Sequence, residues 1–258
     1  MRYFAGIDIG ASATKAVIIN EKKEIVGLHV RKSGVDFREA AESAFVKAKE
    51  LANLTKSEIK YIIVTGYGRR NISFADEMVT EIACHGKGSF YYHPKAHIVV
   101  DIGGQDSKIV KMDEKGKRIS FKMNRKCAAG TGAFLEEIAN RLNIPIDNLN
   151  NLARKSTQRV EIGSYCTVFT STEILSRIRE GTKVEDLIKG IYGSVIKRIL
   201  EMDSLEGNVV MTGGVIAYNS ILVEMFEKRL KKKIFVPPYP QMIGAFGAAL
   251  FALETRRG

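Results

Sequence analysis

Three cysteines, at positions 84, 127 and 166, are the side chains of this sequence most suited to redox or metal chemistry. Cys127 opens the run Cys127-Ala128-Ala129-Gly130-Thr131-Gly132, and a helical pattern, Ala133 to Ala139, follows it directly. A cysteine at a predicted helix N-terminus meets free backbone N–H groups and the positive end of the macrodipole, which favour thiolate over thiol. Three thiols cannot all pair within one chain, and a reducing compartment disfavours disulfides, so metal binding or redox work is the expected chemistry. Cys84, in Glu81-Ile82-Ala83-Cys84-His85, reads as an ordinary packed residue, and His85, His93 and His97 show no metal-ligand spacing with it. The same ordinary reading, a buried free thiol, stays open for Cys127 and Cys166.

A second set of chemical residues is duplicated. Tyr3-Phe4-Ala5-Gly6-Ile7-Asp8-Ile9-Gly10 and His97-Ile98-Val99-Val100-Asp101-Ile102-Gly103-Gly104 both read as a short buried strand ending in Asp-Ile-Gly. Each turns into a second strand, Ala13 to Ile19 or Asp106 to Met112, and a third, near Glu24 to Val30 or Arg118 to Met123. Helical patterns follow, over 37–51 in the first copy and near 132–142 and 184–202 in the second. Each copy then closes with an apolar strand and a glycine turn, Tyr61 to Gly68 or Val209 to Gly214. A strand-Asp-x-Gly hairpin has definite uses: Gly10 lets backbone approach a phosphate, donors through Ala11, Ser12, Ala13, Thr14 and Lys15 surround it, and Asp8 can hold hydrated Mg²⁺. The turn Asp101-Ile102-Gly103-Gly104-Gln105-Asp106 is predicted to approach the same phosphates from the other side, with Gln105 and Asp106 placed to position an attacking water. Thr212-Gly213-Gly214 leaves room for the adenosine half. Gly132, where the cysteine run enters its helix, and Gln241, before the last apolar segment, complete the candidate nucleotide contacts. A Walker A loop and a dinucleotide Gly-x-Gly-x-x-Gly are both missing, which excludes the P-loop and Rossmann readings.

The elements that must position these residues fit a globular α/β chain of 258 residues, 45% hydrophobic. No apolar run reaches the roughly 18–20 residues that span a bilayer, and an acid stands at position 8, so the expected location is cytoplasmic, with no membrane partner. The net charge of +11, from 40 basic and 29 acidic residues, raises nucleic acid as a partner, but the basic residues are scattered and no RNA- or DNA-binding signature is present. Lys122, Arg125 and Lys126 form a local cluster beside Cys127 that suits an acidic protein. No Pro-, Gly- or Ser-rich linker divides the copies, so two halves sharing a cleft are predicted, 1–95 and 96–242, with a last helix over about 243–258 packing back on the first.

The three motifs resemble the phosphate-1, phosphate-2 and adenosine motifs of the acetate kinase, sugar kinase, Hsp70 and actin superfamily. Within it, Asn124-Arg125-Lys126-Cys127-Ala128-Ala129-Gly130-Thr131-Gly132 and Cys166-Thr167-Val168-Phe169 resemble the activators of 2-hydroxyacyl-CoA dehydratases, grouped with the ATPase subunits of benzoyl-CoA reductase. The resemblance runs essentially end to end and implies duplicated ribonuclease H-like, actin-like ATPase domains around a nucleotide cleft. Ala11 and Ala13 depart from it, standing where hydroxyls often occur.

A [4Fe–4S] cluster takes four thiolates, and this chain offers two placed candidates. The economical arrangement, which the resemblance also implies, is a homodimer with one cluster, each subunit supplying Cys127 and Cys166. The further implied partners are an iron–sulfur dehydratase or reductase component and, as electron donor, ferredoxin or flavodoxin. The implied cofactors are ATP or ADP, Mg²⁺ and the cluster, and the implied activity is ATP hydrolysis driving low-potential electron transfer. A small-molecule kinase and a nucleotide-switched assembly protein of the same superfamily are the rival expectations.

Overall fold

The computed structural model describes residues 1–163 and 166–256. Among them run strands β1 (Tyr3–Ile9), β2 (Ala13–Asn20), β3 (Ile25–Lys32), β4 (Ile59–Thr65), β5 (Glu77–Met78), β6 (His97–Ile102), β7 (Ser107–Met112), β8 (Arg118–Asn124) and β9 (Val209–Thr212). The helices are α1 (Phe37–Leu51), α2 (Glu81–Tyr92), α3 (Gly132–Arg141), α4 (Leu149–Arg154), α5 (Thr167–Arg179), α6 (Val184–Met202), α7 (Gly214–Tyr218), α8 (Ser220–Leu230) and α9 (Ile243–Thr255). The strands form two sheets, ordered β3-β2-β1-β4-β5 and β8-β7-β6-β9. Met1–His97, Val110–Ser120 and Gln241–Gly258 group as one unit, and Ile98–Ile109 with Phe121–Pro240 as the other. Residues 257 and 258, the end of the predicted last helix, lie outside the described residues.

The first sheet shows why its strands read as continuous apolar runs. Both faces are covered, so alternate residues enter different cores. Phe4, Val17, Ile19 and Ile63 pack with Phe246 and Ala249 of α9, while Ile7, Ile9, Ala16, Ile18 and Val64 pack with Ala41, Ala44 and Phe45 of α1. Helix α1 is started by Asp36, whose carboxylate accepts the Glu39 N–H at 3.0 Å. Helix α9 is apolar around nearly its whole circumference because it is buried between β1 and α2. Glycines set that approach: a Cβ on Gly6 would stand 2.0 Å from the Ala245 carbonyl oxygen, and one on Gly247 would fall just as close to that of Cys84. In the second unit one apolar core joins β6 and β9 to α3, α4, α6 and α8, with Tyr192, Phe134 and Phe226 fully buried.

Candidate functional site

The first aspartate turn is built by the β1–β2 hairpin. Antiparallel register places Asp8 opposite Lys15, and Lys15 Nζ donates to Asp8 Oδ2 at 3.1 Å. Gly10 closes the turn by donating its N–H to Ala13 O at 3.1 Å, and Ser33 Oγ braces it by donating to Gly10 O at 2.6 Å. Buried Thr14 hydrogen-bonds Ser33 through their hydroxyls at 2.9 Å; Ala11 is exposed, and Ser12 and Ala13 are half-buried. Parallel pairing with β4 sets Thr65 beside Asp8. Gly66, at φ +90°, follows, and a Cβ there would meet Asp8 Oδ1 and Ile9 O at 2.5 Å, so only glycine permits the crossing.

The second turn repeats this plan. Lys108 Nζ lies 3.4 Å from Asp101 Oδ2, parallel pairing sets Thr212 beside Asp101, and Gly213 follows at φ +100°, where a Cβ would stand 2.3 Å from Ile102 O. Gly103 closes its turn through the Asp106 carbonyl at 2.9 Å. Thr212 Oγ1 donates to Asp101 Oδ1 at 2.8 Å, and Nζ of Lys108, a residue only 4% exposed, also reaches Asp106 Oδ1 at 2.7 Å. Asp106 is thus tied into an ion pair, while Gln105 is exposed at the tip of the turn. Gly213 donates to Pro240 O at 2.9 Å, which ties the Thr212-Gly213-Gly214 turn to the residue before Gln241; Gln241 itself sits in the short turn Pro240–Met242.

This second turn is wired to the cysteine run. Gly132 N–H donates to Gly103 O at 2.9 Å, Ala133 N–H to Gly104 O at 2.7 Å, and Ser107 Oγ to Gly130 O at 2.5 Å. Cys127 itself is not at a helix start, contrary to the expectation from sequence. Gly130 has φ +79° and Thr131 is extended and caps α3, so the helix begins at Gly132 and Cys127 precedes it in a separate turn. Asn124 Nδ2 holds that turn through the carbonyls of Cys127 (2.9 Å) and Ala129 (3.0 Å). The macrodipole acts within a helix's first turn, so α3 does not aim it at Cys127. Cys166 occupies the cap position instead, before Thr167 of α5.

The three thiols differ in access. Cys84 is fully buried and burial pushes its thiol up to about 12, whereas Cys127 is half-buried and Cys166 exposed. Lys122 of the basic cluster is partly neutralised, donating to Met202 O at 2.6 Å and pairing with Asp203 at 3.1 Å. Among the described residues no group of three or more His, Cys, Asp or Glu side chains forms a metal site, and no helix is long and apolar enough to cross a membrane.

The BadF/BadG/BcrA/BcrD ATPase family matches residues 5–252. The chain belongs to that family. The activator of lactoyl-CoA dehydratase from Anaerotignum propionicum is 42% identical over 256 residues, 98% of each chain. The solved activator of the 2-hydroxyisocaproyl-CoA dehydratase from Clostridium difficile, with bound ADPNP, superposes with a TM-score of 0.92 at 38% identity, covering 99% of this chain and 96% of that one. Component A of the (R)-2-hydroxyglutaryl-CoA dehydratase from Acidaminococcus fermentans does so with a TM-score of 0.93 at 38% identity over the whole of both chains. The fold is therefore the mixed α/β, two-sheet architecture of actin-like ATPases and sugar kinases. Three residues near the two aspartates, Lys108, Thr65 and His85, stand outside the sequence motifs. Lys108 and Thr65 had a visible signal, since each repeats a residue of the other copy, Lys15 and Thr212. His85, which borders Asp8, had none.

Proposed function

We propose that this protein is an ATP-dependent activator that delivers low-potential electrons to an iron–sulfur 2-hydroxyacyl-CoA dehydratase or related reductase. The observation that carries the reading is the wiring of the second aspartate turn to the run after Cys127, through Gly103, Gly104 and Ser107. Nucleotide phosphates held at the Asp101 turn would then bear directly on the segment that presents a thiol. Asp8 and Asp101 serve hydrated Mg²⁺; Gly10 to Lys15, Gly103, Gly104 and Gln105 serve the phosphates; Gly132, Thr212 to Gly214 and Gln241 serve the rest of the nucleotide. Gln105, exposed at its turn, orients the attacking water, and Asp106 fixes Lys108 beside Asp101.

The two accessible thiols fit a shared [4Fe–4S] cluster, and buried Cys84 does not. Each subunit of a homodimer would supply Cys127 and Cys166, and α5, starting at Cys166, would turn the positive end of its dipole toward the cluster's negative charge. The bound cluster supplies one-electron chemistry at low potential. Helix α5 also exposes Val168 (66%), Phe169 (68%) and Leu175 (60%), an apolar strip suited to covering by a second subunit or a protein partner. Ferredoxin or flavodoxin is the matching donor, acidic enough for Arg125 and Lys126. Protein purified without oxygen should be brown and hold about four Fe per dimer. Cys127→Ala or Cys166→Ala should remove the iron and leave the monomer folded. A colourless wild-type dimer with full ATPase activity would overturn the reading.

A further inference from the structure

His85 has no part in the assignments above, yet it is one of few buried ionisable side chains beside the first aspartate turn. The residue is 5% exposed and lies on the face of α2 that packs against α9. Two glycines fix that packing: a Cβ on Gly247 would collide with the Cys84 carbonyl, and one on Gly88 would stand 2.5 Å from the Ile243 carbonyl oxygen. The close approach brings the start of α9 to the end of β1. There, a Cβ on Gly244 would stand 2.9 Å from His85 Nε2 and 3.1 Å from Asp8 Oδ2. The imidazole Nε2 edge and the carboxylate therefore border one point, which any side chain at 244 would fill.

A second observation comes from Thr65. In the other copy Thr212 Oγ1 donates to Asp101. Thr65 stands in the same register beside Asp8, but its buried Oγ1 makes no hydrogen bond to that carboxylate and faces the Cys84 thiol. Asp8 is thus not held by the threonine of its own strand pair. Lys15 reaches Oδ2 from the β2 side, and the side facing Gly244 is where His85 stands.

We propose that His85 is a positioning residue, which orients the Asp8 carboxylate through its Nε2 edge in the role that Thr212 fills for Asp101. The inference rests on the assignment of Asp8 to the magnesium-nucleotide site. It assigns no direct contact between His85 and nucleotide. Removing a side chain that orients a metal-serving carboxylate typically weakens the metal by about 10–100-fold while the rest of the ligand contacts persist.

The test is calorimetric titration of Mg²⁺ into the ADP-bound protein, beside titration of ADP without Mg²⁺. His85→Ala should weaken Mg²⁺ by about tenfold or more and leave metal-free ADP affinity within about twofold. His85→Gln, whose amide nitrogen reaches about as far as Nε2, should restore most of the Mg²⁺ affinity; His85→Asn, which reaches only as far as Nδ1, should not. If His85→Ala fails to fold, the Gln and Asn variants decide the matter alone. Unchanged Mg²⁺ affinity in His85→Ala, or equal losses in the Gln and Asn variants, would overturn the proposal. Asp8→Asn separates the two levels: if it leaves Mg²⁺ affinity intact, the assignment of Asp8 fails and the inference with it. If it weakens Mg²⁺ while His85→Ala does not, the inference alone fails.

Discussion

Asp8 and Asp101 occupy the same place in two copies of one hairpin. Each is seven residues before a lysine and stands beside the threonine of a Thr-Gly turn on a parallel strand. They are held differently. Asp101 accepts from Thr212, and its Lys108 is shared with Asp106 in a pair whose lysine side chain is 5% exposed. Asp8 keeps Lys15, with the lysine side chain 16% exposed, and lacks the threonine bond. Duplication therefore preserved the backbone device, an Asp-Ile-Gly turn crossed by a left-handed glycine, and let the polar partners diverge. The second turn is also wired to the cysteine run, through Gly103, Gly104 and Ser107.

The largest contrast should come from the lysines. Lys108→Ala leaves Asp101 and Asp106 without their shared buried cation and should cost about 3–5 kcal/mol in chemical denaturation. Lys15→Ala, at a pair whose lysine is 16% exposed, should cost less, about 1–3 kcal/mol, while lowering ATP turnover. Equal stability losses would show that the two turns are held alike. A smaller contrast is expected from the threonines. Thr212→Val removes a hydrogen bond to a charged group and should cost about 1.5–3 kcal/mol. Thr65→Val replaces a buried hydroxyl that faces only the weakly bonding Cys84 thiol by a group of the same shape, and should be nearly neutral in the same assay. A large loss at Thr65 would mean that Asp8 depends on it after all, and the case for His85 would weaken. The smallest contrast concerns the glycines. Gly66→Ala and Gly213→Ala should each cost on the order of 1–3 kcal/mol, because both positions combine a left-handed backbone with a carbonyl within 2.5 Å of any Cβ. A marked difference between them would break the shared backbone plan.

Much of this was legible in the chain. The repeated Asp-Ile-Gly, the helices over Phe37–Leu51 and Val184–Met202 and the paired Thr-Gly turns follow from local pattern, because buried strands and amphipathic helices advertise their own periods. The cysteine run was read less well. The helix start near Gly132 is legible, but Gly130 in the left-handed region and Thr131 in its extended cap turn the chain before it and leave Cys127 outside the first helical turn. That choice is made by Ser107 and the Gly103-Gly104 turn, far away in sequence. His85 was illegible for a similar reason. Its meaning depends on Gly244 and Gly247 admitting α9 against α2, a packing event with no local signature.

The central proposal is that ATP use by this chain drives an electron to a dehydratase from a cluster that Cys127 and Cys166 of two subunits would hold. The direct measurement is anaerobic stopped-flow absorbance of the reduced protein mixed with the iron–sulfur component of a 2-hydroxyacyl-CoA dehydratase, with ATP or with ADP. Reoxidation of the protein with Mg-ATP, and its near absence with Mg-ADP, is the predicted result. Equal reoxidation with either nucleotide, or none with ATP while ATPase activity is intact, would contradict it.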